Sequence, residues 1–82
     1  MATVTIFRNS NVARIAYNEA TKTLQVTFSK DGGFGATYEL AGVEDQDYQA
    51  FLKAPSKGSF YYSNFRPKSP RKLDPDKDQV WS

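Results

Sequence analysis

The chain contains no cysteine and no histidine in its 82 residues. That removes thiolate nucleophiles, histidine general bases, disulfide frameworks and the common zinc sites, because each of those needs a ligand or acid the chain does not own. Only Ser, Tyr, Lys and carboxylates remain to do chemistry, so the expectation is a protein that is not an enzyme and carries no cofactor and no metal. Long apolar runs are missing as well. Nothing near Met1 has the stretch of a signal peptide, and nowhere do about 18 consecutive apolar residues suggest a membrane span, which makes the cytoplasm the expected location. The length suits one domain. A domain of this size buries only about 60% of its unfolded surface, so the 15% aromatic content is expected to supply much of the core.

Charge is unevenly spread. Residues 1–52 carry four cations against six acids, net −2, and residues 53–82 seven cations against three acids, net +4. Between Lys53 and Lys72 there are six cations and no acid, the main compositional anomaly of the chain.

Apolar and polar residues alternate over Thr3–Arg8, again over Ala13–Tyr17 and most clearly at Leu24, Val26 and Phe28, the period of strands with one face inward. Lys30-Asp31-Gly32-Gly33 supplies the positive φ angles of a tight hairpin, and Phe34, Ala36, Tyr38 and Leu40 then share one parity. From Val43 to Ala54 the period changes. Glu44, Asp45 and Asp47 stand in front, Tyr48, Phe51 and Leu52 fall at i, i+3 and i+4, and Lys53 lies at the back, as the helix dipole favours. Pro55 ends this helix, and Phe60–Phe65 is read as a short second one. The pattern predicts an α+β fold: an antiparallel β-meander of three or four strands with one main helix packed on it. Residues 1–66 form the domain, and 67–82, with Pro67, Pro70 and Pro75 among charges, read as a flexible tail.

The succession Ser10-Asn11-Val12, Tyr17, Leu24-x-Val26-x-Phe28, Tyr38, Val43, a helix ending at Ala54, Ser56-x-Gly58 and Phe65-Arg66 resembles the KTSC domain, over roughly residues 10–66. That family occurs as a single-domain protein in bacteria and phages and at the C-terminus of some lysyl-tRNA synthetases. The family's Tyr-x-Tyr pair stands here as Tyr38-Glu39-Leu40, and its common proline after the valine is Glu44. The resemblance implies a compact meander with a helix and suggests a role in binding RNA.

The basic stretch interleaves Lys53, Lys57, Arg66, Lys68, Arg71 and Lys72 with Tyr61 and Tyr62. Cations neutralise phosphates and exposed aromatic faces stack on unpaired bases, so these eight residues are the candidate contacts to RNA or single-stranded nucleic acid. Tyr17 and Tyr38 are candidate stacking residues if their rings reach the surface. Ser56, Gly58 and Ser59 form a candidate phosphate-binding turn. Against these stand plainer readings, in which the aromatic residues are core, the cations solubilise, and Ser-x-Gly is a turn. Gly32-Gly33-Phe34-Gly35 leads into a strand and lacks the Lys-Ser/Thr ending of a phosphate loop. Asp74-x-Asp76-x-Asp78 opens like a calcium loop but lacks its glycine and its bidentate glutamate. The leading functional expectation is a nucleic-acid-binding module. The alternative is a protein-interaction module, such as a small phage or bacterial accessory protein that binds a host protein.

Overall fold

In the computed structural model, which describes residues 2–8 and 10–81, the meander runs to five antiparallel strands in chain order: β1 (Thr3–Ile6), β2 (Val12–Asn18), β3 (Thr23–Lys30), β4 (Gly33–Leu40) and β5 (Arg71–Lys72). The expected count of three or four is therefore corrected to five. The added strand is two residues long, too short to carry a period, and is made by backbone pairing alone: Arg71 lies opposite Glu39, Lys72 opposite Tyr38, and the Leu73 amide donates to the Thr37 carbonyl at 2.8 Å. Asp31 and Gly32 turn the β3–β4 hairpin with φ of 50° and 79°, while Lys30 pairs with Gly33. Positive φ at both central residues matches the strand twist.

Helix α1 spans Asp45–Lys53. Its predicted acidic front and basic end are in place, and Ala54 is already extended, as the residue before Pro55 must be. The second helical segment begins earlier than its apolar pattern suggests: α2 covers Lys57–Phe60 and passes into a π-helical turn, Tyr61–Phe65, and a 3₁₀ turn, Arg66–Lys68.

These elements cover one face of the sheet. Val12, Ile15, Tyr17, Leu24, Val26 and Leu40 meet Val43, Tyr48, Phe51, Tyr61 and Phe65 in one apolar core, with the Phe51 and Phe65 rings edge-on at 5.0 Å. The other face is buried too, although its residues are polar: Arg14, Gln25, Thr27 and Thr37. The C-terminal segment covers part of it. Leu73 is buried, the Gln25 side-chain amide donates to Glu39 and to the Gln79 carbonyl, both at 3.0 Å, and the Trp81 amide donates to Gln25 Oε1 at 2.8 Å. No buried side-chain nitrogen or oxygen among the described residues lacks a partner. None of the described helices is long and apolar enough to cross a membrane.

Candidate nucleic-acid interface

The chemistry of the basic stretch is sorted by the π-helical turn. A π turn adds a residue per turn, is rare, and occurs frequently at functional sites. Here it turns Tyr61 and Phe65 into the core and leaves Tyr62 and Arg66, four residues apart, on the outside. The Arg66 guanidinium lies over the Tyr62 ring, 5.2 Å from its centroid, and that ring is 54% exposed. Beside this pair opens a cleft of about 550 Å³ lined by Phe28, Ala36, Tyr38, Tyr61, Tyr62, Arg66, Ser69 and Pro70. Its aromatic wall is continuous: Phe28 meets Tyr61 edge-on at 4.9 Å and Tyr38 at 5.8 Å, and Tyr61 meets Tyr62 at 5.7 Å.

Burial, reinforced by the neighbouring Tyr38 and Tyr62, pushes the Tyr61 phenol up to about 12, against an opposing pull from Arg66. At neutral pH it is therefore a hydrogen-bond donor as well as an acceptor. The half-buried Tyr38 shares a register position with exposed Lys72, and exposed Lys68 stands on the 3₁₀ turn immediately before Ser69. The cleft thus joins apolar ring faces, phenol groups and a guanidinium that has no carboxylate within salt-bridge distance among the described residues.

Other candidates lie elsewhere. Tyr17 does not meet the condition set for stacking, because its ring is buried, stacked on Tyr48 at 4.3 Å, with its hydroxyl donating to the Val43 carbonyl at 2.6 Å. Lys57 is turned away: its ammonium donates to the Ala54 carbonyl at 3.1 Å and sits over the Phe7 ring at 4.6 Å. Arg71 is held by Asp78 at 3.1 Å and Glu39 at 3.4 Å, and Lys53 is exposed at the end of α1. In the turn offered to phosphate, Ser56 Oγ accepts from the Ser59 amide and bonds its hydroxyl at 3.1 Å, so it caps α2 from within. Gly58 packs closely on Asn11: a Cβ there would stand 3.3 Å from the Asn11 side-chain nitrogen, a tight contact relieved by a small shift of that exposed side chain. The Asp74 and Asp78 carboxylates accept from the Asp76 and Asp74 amides, making a local turn.

Sequence reasoning missed Phe28, Ala36, Ser69 and Pro70 as cleft residues. Phe28 and Ala36 carried a signal, the parity they share with the inward residues of β3 and β4, but that parity equally describes core. Ser69 adopts φ 56°, and nothing in its residue type announces it.

The architecture defines a small α+β domain: a five-stranded antiparallel meander with helices on one face and an aromatic cleft at the end of the helical segment. Residues 8–68 match the model of the KTSC domain family, and the chain belongs to that family. It is similar to the crystal structure of a KTSC domain protein from Yersinia pestis, with 27% identity and a TM-score of 0.74 over 90% of this chain and 100% of that one. No curated protein matches the chain.

Proposed function

We propose that the protein is a non-catalytic module that binds RNA or other single-stranded nucleic acid at the Tyr62–Arg66 cleft. The observation that carries this reading is the exposed Tyr62 ring with a guanidinium stacked on it at the mouth of an aromatic cleft. Unpaired bases stack on aromatic rings and on arginine planes, and each such contact is worth about 1–3 kcal/mol. A duplex hides its base faces and gains nothing from such a wall. Arg66, Lys68 and Lys72 supply phosphate contacts around it. Lys57, Arg71, Tyr17 and the Ser56–Ser59 turn have no part, since their polar groups are engaged within the fold.

The test is fluorescence anisotropy of a labelled oligo-U with three variants. Tyr62→Ala and Arg66→Gln are expected to weaken binding by roughly tenfold or more, whereas Lys57→Gln leaves it unchanged. Equal losses in all three would point to diffuse charge attraction and end the assignment to the cleft. Absence of binding by the unmodified protein would favour a protein partner.

A further inference from the structure

A sheet edge offers unpaired backbone N–H and C=O groups, and natural proteins guard such edges with short strands, charge, proline or bulges. The two edges of this sheet are unlike. β5 is two residues long, both are cations, and Arg71 is tied to Glu39 and Asp78. β1, at the other end of the strand order, reads Thr3-Val4-Thr5-Ile6: four β-branched residues without charge, proline or glycine. It pairs with β2 in unbroken register, and the sheet's bulges lie further in, at Val12/Arg14 and Thr27/Ser29. No described residue pairs with its outer side, and Ile6 is 61% exposed.

We propose that β1 pairs antiparallel with β1 of a second copy of this chain, joining two sheets across a two-fold axis. The strand fits itself. Val4 and Ile6 stand on one face, in register with Ala16 and Arg14, and Thr3 and Thr5 on the other, in register with Tyr17 and Ile15. An axis beside Thr5 sets Thr5 against Thr5 of the partner subunit and Val4 against the partner's Ile6, so symmetry covers the exposed isoleucine twice. No charges meet across β1 itself, and a charged peptide would find nothing on this strand to pair with. The cleft beside β4 and β5 lies at the far end of the strand order, so both copies keep theirs open.

Light scattering on a size-exclusion column, over a series of loading concentrations, tests this. The expected result is a mass rising to twice that of the chain, with β1 amides gaining hydrogen-exchange protection as concentration rises. Val4→Lys sets like charges near one another across the axis, and Ile6→Pro removes an outward-facing donor. The Phe7 amide bonds the Ala13 carbonyl, so the amides of Phe7 and Thr5 face β2 while that of Ile6 faces away from it. Both are expected to return the monomer with an unchanged circular dichroism spectrum. A monomer at every concentration overturns the proposal. So does β1 exchange that is independent of concentration, or a dimer that survives both substitutions.

Discussion

The two faces of the sheet are buried by different physics. On the helix side Val12, Ile15, Leu24 and Val26 are fully excluded from water against Phe51 and Phe65, and what holds them is apolar transfer and fit, which any side chain of the right shape supplies. On the other side Arg14, Gln25, Thr27 and Thr37 are buried behind specific donors and acceptors: Thr27 and Thr37 share a hydroxyl bond at 2.7 Å, and Gln25 joins Glu39 to the backbone of Gln79 and Trp81. An apolar face loses stability in proportion to what is cut away. A polar face fails differently, because each lost partner leaves another group dry and unsatisfied. Truncating a large side chain on the first face is therefore expected to cost the most stability, and the second face decides where the C-terminal segment lies.

Cutting into the apolar face gives the largest expected effect. Phe51→Ala should cost about 3–5 kcal/mol in urea unfolding, a large part of what a domain of this size holds. On the polar face, Gln25→Ala removes the side chain that bonds both Gln79 and Trp81. The expected cost is about 1–3 kcal/mol, and Trp81 emission should shift to the red and become more readily quenched. Unchanged Trp81 emission would mean the segment is held by other contacts. Tyr17→Phe keeps the stack on Tyr48 but deletes the bond to the Val43 carbonyl, for about 1 kcal/mol.

A pH titration sharpens the comparison without cutting anything. The Tyr61 phenol is raised from 10.0 to about 12, first by burial. The fold favours its neutral form, so its contribution is fully present below pH 10 and is lost as pH rises through about 12. Tyr61→Phe should flatten the decline of stability across that window, leaving the smaller share of Tyr17, whose phenol burial raises in the same sense. Least of all should follow from Lys22→Ala, since the bond from Lys22 to Glu44 at 2.9 Å is exposed and screened by solvent.

What the sequence made legible was local. Leu24, Val26 and Phe28 announce a strand, Asp31-Gly32 a hairpin, and the acids before Tyr48 with Lys53 behind it a helix, because each signal lies within one element. The polar face was not legible. Gln25 and Thr27 alternate with apolar neighbours as water-facing residues do, and the chain that contacts Gln25 arrives 54 and 56 positions later. β5 has too few residues to show a period. The candidate site was legible in composition and not in geometry: the basic stretch read as one surface is divided by a π turn that buries Tyr61, exposes Tyr62, and sets Arg66 over the Tyr62 ring with no carboxylate among the described residues within salt-bridge distance, while Lys57 and Arg71 are engaged. Tyr38 was named on the condition that its ring reach the surface, and it lines the cleft.

The most direct measurement of the central claim is titration of the unmodified protein with poly-U and with duplex DNA, at low and moderate salt. Three phosphate contacts, from Arg66, Lys68 and Lys72, predict binding to poly-U whose logarithm falls with log salt at a slope of about −2, since each single-strand contact contributes about −0.7. Duplex should bind more weakly, because it presents no base faces to the Tyr62 cleft. No binding to either polymer at about 50 mM salt, where phosphate contacts are strong, or tighter binding to the duplex, would contradict the account.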